Sequence, residues 1–315
     1  MTLNGLHLLL TYTCILDCDH CFLWGNPMQS GAMTATQVES ILRQAREVGS
    51  IRRIDFEGGE PFLYYPLLVG GVREARRLGF RVGAVTNAYW ATSENDAVEW
   101  LKPFTGILAD LSISHDAYHD PDEWGLRAAN ARSAAERLGI RLETISIAPP
   151  EEAGAGETSG VTSSGTSPVR FRGRAARRLA ARAPHRYPAA TFDSCPWEDL
   201  REPGRLHVDA LGNLQVCQGI TIGNLFRKSL KEILDGYDPR ANPVVDALLE
   251  GGPAALATRF GIATAGETYA DACHLCYETR DRLRSRFPDI LTPDQAYGVV
   301  GSDGNGNAAS AADAD

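Results

Sequence analysis

Three cysteines stand close together near the start of the chain: Cys14, Cys18 and Cys21, in C-x3-C-x2-C spacing. An apolar run of strand length, His7-Leu8-Leu9-Leu10, precedes them. The cysteines therefore fall on the loop that leaves a first strand. Three thiolates on one short loop suit three irons of a [4Fe–4S] cluster, where a full protein set would be four cysteines. The fourth iron is then left without a protein ligand. An open coordination position is what a catalytic metal site needs, because substrate must reach the metal. A zinc site is the competing reading. Zinc usually takes C-x2-C or C-x4-C pairs and a fourth ligand, and His20, between Cys18 and Cys21, could supply it.

A second constellation lies far along the chain: Cys195, Cys217 in Gly212-x4-Cys217, and the pair Cys273-x2-Cys276. With the first trio these account for all seven cysteines. Four thiolates can ligate a metal completely, and by ligand type alone structural zinc competes here too.

The elements that must position these residues alternate. Thr34-Ala35-Thr36-Gln37 reads as a capping box for a helix to about Val48, closed by Gly49. Arg53 to Glu57 alternates as a second strand and ends in Gly58-Gly59-Glu60-Pro61. A helix over Leu67 to Leu78 leads to a third strand, Arg81 to Val85, ending in Thr86-Asn87-Ala88. A helix near Glu94 to Leu101 precedes a fourth strand, Gly106 to Ile113, ending in Ser114-His115-Asp116. Then come a helix over Asp122 to Leu138 and a fifth strand, Arg141 to Ile147. Val169 to Arg172 is a candidate sixth strand, and Gly173-Arg174-Ala175 opens a helix. Such alternation predicts a parallel α/β sheet. Each motif falls at a C-terminal strand end, which is the end that carries chemistry in α/β barrels.

Pro149 to Pro168 is rich in Gly, Ser and Thr and reads as a flexible linker, with a lid as the sharper alternative. From Thr191 the texture changes. Leu206 to Asp209 and Leu214 to Cys217 flank the turn Ala210-Leu211-Gly212-Asn213, a hairpin signal. Helices are expected over Leu225 to Leu234 and within Asp271 to Arg286. The segment after Tyr297 reads as a disordered tail.

With 315 residues, 43% hydrophobic and 23% charged, the composition is that of a globular protein. No run of about 18 apolar residues is present, so no membrane span is expected. The start, Met1-Thr2-Leu3-Asn4, lacks a signal-peptide form, which predicts a cytoplasmic protein with reduced cysteines. A net charge of −9 argues against nucleic acid or an anionic membrane as partner.

Cys14-x3-Cys18-x2-Cys21 after the first strand, followed by Gly58-Gly59-Glu60-Pro61 after the second, resembles the core of the radical S-adenosylmethionine (radical SAM) superfamily over roughly residues 5 to 185. The resemblance implies a partial (β/α)6 TIM-like barrel over residues 1–188. It also implies that the open iron is chelated by the amino and carboxylate groups of SAM. Gly58 and Gly59 would receive the amino group, because glycines let backbone carbonyls approach closely. Glu60 stands beside them, at a turn where a structural role is common. Polar groups after strands three and four would hold ribose and carboxylate, which points to Thr86, Asn87, Ser112 and Ser114. Where the family often has an aromatic near the adenine, this chain has His20. The implied reaction is reductive cleavage of SAM to methionine and a 5′-deoxyadenosyl radical, followed by hydrogen abstraction from substrate. A reducing donor such as flavodoxin or ferredoxin goes with it.

Gly212-x4-Cys217 followed by Cys273-x2-Cys276 is similar to the C-terminal SPASM/twitch auxiliary-cluster domains of that superfamily, here over residues 189–298, with residues 299–315 as the tail. That resemblance implies a second [4Fe–4S] cluster on Cys195, Cys217, Cys273 and Cys276. An electron acceptor of that kind suits a net oxidation or a cross-link, on a peptide or protein or on a small molecule. A local basic run, Arg170, Arg172, Arg174, Arg177, Arg178, Arg182 and Arg186, offers residues for an anionic or peptide substrate. Arg127 is a candidate for the SAM carboxylate. His115, Asp116 and His119 are candidates for proton transfer or for loop capping. The rival class is a non-enzymatic iron–sulfur or zinc-binding electron carrier or scaffold, to which a SAM site would be of no use.

Overall fold

The computed structural model describes residues 3–119, 121–152 and 166–300. The middle of the Gly/Ser-rich loop, 153–165, and the expected tail from 301 onward lie outside the described residues.

Five strands are β1 (Gly5–Leu9), β2 (Arg53–Glu57), β3 (Arg81–Thr86), β4 (Asp110–Ser114) and β5 (Arg141–Ile145). They are joined by α1 (Ala35–Val48), α2 (Tyr65–Arg77), α3 (Glu94–Leu101) and α4 (Pro121–Arg137). Then follow α5 (Arg174–Arg178), β6 (Tyr187–Pro188), β7 (Arg205–Val208), β8 (Asn213–Cys217), β9 (Ile220–Asn224), α6 (Leu230–Asp235), α7 (Pro243–Arg259), β10 (Thr268–Tyr269) and α8 (Ala272–Leu283).

The main sheet runs β5-β4-β3-β2-β1-β7-β8-β9. Strands β1 to β5 are all parallel. This is the expected α/β sheet of a partial barrel, and it does not close. The expected sixth strand over Val169 to Arg172 is not formed; that segment is irregular backbone. The outer edge of β1 is taken instead by β7, parallel, with His7 opposite His207. The alternation Val169-Arg170-Phe171-Arg172 covers only four residues, the shortest stretch that suggests a strand, and does not fix one. The expected hairpin is present, β7 antiparallel to β8, and β9 extends it. The sheet therefore continues through the boundary at residue 188. The helix expected from Leu225 begins only at Leu230, because Ser229 is its N-cap and Glu232 completes the capping box. Helix α7, bent at Gly251 and Gly252, had no clear signal in the sequence.

One face of the parallel sheet is apolar. Leu6, Leu8, Ile54, Phe56, Val82 and Leu111 are fully buried there. Phe56 packs where Gly71 of α2 and Val38 of α1 meet the sheet. The other face is polar: His7, Arg53, Asp55, Asp110 and Ser112 alternate with the apolar set. A parallel sheet covered on both faces by helices would read as a continuous apolar run. Here the inner face lines a lumen, so alternation survives. Gly83 makes room there for Arg53 of β2 to cross β3 to Asp110 of β4. A Cβ on Gly83 would lie 2.7 Å from the Arg53 guanidinium and 2.8 Å from the Asp110 carboxylate.

Candidate active site

The cysteine loop is fixed by backbone bonds and by one arginine. Cys14 N donates to Asn26 O (3.1 Å) and Cys21 N to Cys18 O (3.1 Å). Arg174, fully buried, donates through Nη1 to Cys18 O (2.7 Å) and through Nη2 to Gly25 O (2.9 Å). Its Nη2 also pairs with Asp17 Oδ1 at 2.7 Å. Arg174 therefore clamps the loop and, unlike Arg170 and Arg172, is not among the residues lining the cavity beside it, where the basic run predicts a substrate-holding arginine. Arg178 pairs with Asp17 and Asp19 on the outside of the same loop.

The Gly58-Gly59-Glu60 turn docks against this loop. Gly59 N donates to Thr11 O (2.7 Å) and Glu60 N to Thr13 O (2.9 Å). A Cβ on Gly59 would lie 2.1 Å from Thr13 O, and one on Gly58, whose φ is +148°, 2.6 Å from Thr11 O. Both positions need glycine for close approach. The cysteine trio and the turn meet in a cavity of about 300 Å³. Its wall also carries His20, Thr86, Asn87, Ser114, His119, Arg170 and Arg172.

Several of the expected cofactor residues are committed to one another. Glu60 Oε1 accepts from Phe62 N (3.0 Å) and Thr86 Oγ1 (2.9 Å), and Oε2 accepts from Asn87 N (2.8 Å). Burial pushes its carboxyl up to about 7, against those hydrogen bonds. Thr86 Oγ1 accepts in turn from Ala88 N and Trp90 Nε1, so its hydroxyl is saturated. Both residues brace the strand ends. Asn87 Oδ1 accepts from Tyr89 N (3.0 Å), and its Nδ2 turns to the cysteine loop, donating to Cys14 Sγ at 3.6 Å. Ser114 stands on the cavity wall, whereas Ser112, two residues back along β4, is buried and is not part of it.

Past β4, Asp116 is buried between two histidines. Its Oδ1 lies 2.8 Å from His119 Nδ1 and its Oδ2 3.5 Å from His20 Nε2. Burial favours the acid form of Asp116, but His119 and His20 outweigh it and hold the carboxyl below its ordinary range. His20 stacks on Tyr118, with ring centroids 4.5 Å apart. His115 is outside the cavity wall. Arg127 is also outside it: its guanidinium donates to Tyr89 O and pairs with Glu123.

A second cavity, about 30 Å³, is lined by all four remaining cysteines, Cys195, Cys217, Cys273 and Cys276, with Trp197, Glu198 and Arg280. Arg172 lines both cavities. Arg170 stacks on Trp197, its guanidinium 3.8 Å from the ring centroid.

The donor sets fit iron–sulfur clusters better than single ions. Thiolates around one tetrahedral zinc lie about 3.8 Å apart, from bonds of about 2.3 Å. Among the described residues, no three cysteines bring their sulfurs within 4.8 Å of one another. A cubane cluster spreads its ligand sulfurs more widely than one ion does. Burial, helped by nearby Glu60, pushes the Cys14 thiol up to about 12, so a bound cation is what would hold it as thiolate.

The sequence motifs led to the cavity but not to everything around it. The Arg174 clamp was hidden in a basic run whose members are mostly solvated. Only pairing across the sheet brings His7, Glu57 and His207 together, and they have no spacing signal.

Residues 8–151 match the protein family described as the radical SAM superfamily. The chain carries a radical SAM domain, and a domain of that family implies a [4Fe–4S] cluster and SAM. Among individual proteins it is similar to YydG of Bacillus subtilis (strain 168), a protein named for peptide biosynthesis, at 26% identity over 109 residues. That match spans 34% of this chain and 34% of the relative's length. Two solved structures are similar at low identity. BtrN in complex with AdoMet and 2-DOIA is 14% identical with a TM-score of 0.49, over 80% of this chain and 89% of BtrN. Native anSMEcpe with bound AdoMet and Cp18Cys peptide is 12% identical with a TM-score of 0.45, over 90% and 98%. No helix among the described residues is long and apolar enough to cross a membrane.

Proposed function

We propose that this chain is a radical SAM oxidase or maturase whose substrate is a peptide or a small molecule. Cys14, Cys18 and Cys21 hold the SAM-binding cluster, and Cys195, Cys217, Cys273 and Cys276 hold an auxiliary one. Residues 1–188 form the catalytic unit and residues 189–298 the auxiliary unit. One observation carries this reading: a single cavity joins the cysteine trio, the Gly58-Gly59-Glu60 turn and two arginines.

When bound, the cluster and SAM together supply the one-electron chemistry that opens an unactivated C–H bond. The chain's own residues bind, orient and exclude water. Carbonyls of the Gly58-Gly59 turn accept from an ammonium. The Asn87 amide steadies the Cys14 sulfur. Arg170 and Arg172, which also line the cavity, hold an anionic group of the substrate. Because Arg172 also borders the second cysteine cavity, a substrate held there lies between the two metal sites, which suits a net oxidation. The likeness to a protein named for peptide biosynthesis supports a peptide as substrate. An electron carrier would have no use for the open cavity.

The test is anaerobic reconstitution with iron counting and SAM cleavage under a strong reductant. We expect about eight irons per chain, four per cluster, and release of 5′-deoxyadenosine. The Cys273→Ala, Cys276→Ala double variant should hold about four irons, still cleave SAM, and make no oxidised product. Zinc at the first trio, or intact SAM under reductant, overturns the reading.

A further inference from the structure

Outside both cysteine sites, His7, Glu57 and His207 bring one ligand atom each within 4.8 Å of one another, a convergence found at no other His, Cys, Asp or Glu trio among the described residues. The three come from adjacent parallel strands, β2, β1 and β7, with His7 directly opposite His207. None of them lines the cavity of the cysteine trio. We propose that His7, Glu57 and His207 bind a divalent first-row transition cation on the lumen face of the sheet.

The chemistry of the donors favours this. Two imidazoles and one carboxylate with further positions open form a donor set suited to Fe²⁺, Mn²⁺ or Zn²⁺. His7 Nδ1 already lies 2.5 Å from Glu57 Oε1, so a cation there would replace a shared proton. The outer nitrogen of each histidine meets a group that could orient it. Asp55 Oδ2 lies 3.7 Å from His7 Nε2. The Gln218 amide lies 3.1 Å from His207 Nε2. Metal-bound histidines are oriented by such partners on the nitrogen that does not bind.

His207 supplies the second observation. It is only 5% exposed, and its Nδ1 has no hydrogen-bond partner; nor has Gln218 Oε1. Turning the Gln218 amide over resolves the oxygen, which then accepts from His207 Nε2–H. Nδ1 is left with a bare lone pair, the state of a neutral metal-binding imidazole. The nearby positive charges, Arg172 and Arg205, are both held towards Glu198, at 3.8 and 3.6 Å. His7 and Glu57 retain 18% and 16% side-chain exposure, so the site is open to solvent.

The experiment titrates the reconstituted holoenzyme with Mn²⁺, which prefers nitrogen and oxygen donors and leaves thiolate clusters alone. Electron paramagnetic resonance then counts free and bound Mn²⁺, and pulsed measurements detect coupled nitrogens. We expect one equivalent bound, coupled to two imidazole nitrogens in the wild type. Glu57→Gln and His207→Ala should each weaken it at least about tenfold, at unchanged iron content. The Cys273→Ala, Cys276→Ala variant should bind Mn²⁺ as the wild type does. This holds whether or not SAM is cleaved, so it fails separately from the proposed function. No stoichiometric Mn²⁺, or bound Mn²⁺ without nitrogen coupling, overturns the proposal.

Discussion

Trp24 Nε1 donates to Tyr277 Oη at 2.8 Å. The bond ties the backbone three residues past Cys21 to the helix one residue past Cys276. Trp24 sits at φ +58°, in the left-handed region a bulky residue rarely adopts, and the indole is held against Gly298. Arg174 and Arg177 lie over its ring, 5.3 and 5.4 Å from the centroid. The loop of the first cysteine set and helix α8 of the second therefore share one packed contact.

Tyr277→Phe removes the acceptor and leaves the indole N–H without this partner. We expect a loss of about 1–2 kcal/mol in stability, read from the urea midpoint at constant slope. If the contact also sets the spacing of the two metal sites, oxidised product should fall more than SAM cleavage does. Equal loss of both would show that the bond contributes stability alone.

Arg174→Lys keeps the charge but not the fork that reaches Cys18 O, Gly25 O and Asp17. A lysine ammonium cannot span three acceptors arranged for a planar guanidinium. Breaking a buried, paired charge costs about 3–5 kcal/mol when one partner is removed outright, and this milder change should cost part of that. The sensitive readout is iron loss to a chelator. It should be faster from the first site and unchanged from the second.

Two glycine substitutions with opposite outcomes test the turn. Gly59→Ala places a Cβ 2.1 Å from Thr13 O, so the turn must lift off the cysteine loop. We expect it to fold with defective assembly of the first cluster and no detectable SAM cleavage. Gly70→Ala, inside α2, meets nothing within 4 Å. It should gain up to about 1 kcal/mol through helix propensity and leave activity unchanged.

The sequence carried most of this architecture because its signals were local. The capping box at Thr34 and Gln37 and the left-handed Gly49 are where the pattern put them. The spacing of Cys14, Cys18 and Cys21 and the turn at Gly58 led directly to one cavity. Where reading failed, the deciding force was not local. Val169 to Arg172 has a strand-like composition, yet β7 takes the edge of β1, through a parallel pairing about two hundred residues apart in the chain. Thr86 and Glu60 sit at the active end of the sheet, but their hydrogen bonds are spent on each other, on nearby backbone N–H groups and on Trp90, a pattern set by the folded turn and not by spacing. The convergence of His7, Glu57 and His207 depends on register across three strands, so no window of sequence contains it.

Asp110 gives a pH dependence whose sign is fixed by its neighbours. It is 1% exposed and accepts from Arg53 Nη1 (3.0 Å), Arg53 Nη2 (2.5 Å) and Arg81 Nη2 (3.0 Å). Burial alone would raise its carboxyl, but the hydrogen bonds and charges of Arg53 and Arg81 outweigh that and hold it below its ordinary range. In acid the unfolded chain therefore binds this proton first. The stabilisation is complete above the unfolded pKa of about 3.9 and is lost as pH falls through the lower folded value. Asp110→Asn should cost about 2–3 kcal/mol near neutral pH, between the values for exposed and buried pairs. The gap between wild type and variant should narrow as pH drops below about 4. Paired urea titrations across that range measure it, since acid damage common to both proteins cancels in the difference. A gap that stays constant into acid would mean the Asp110 carboxylate contributes nothing through its charge.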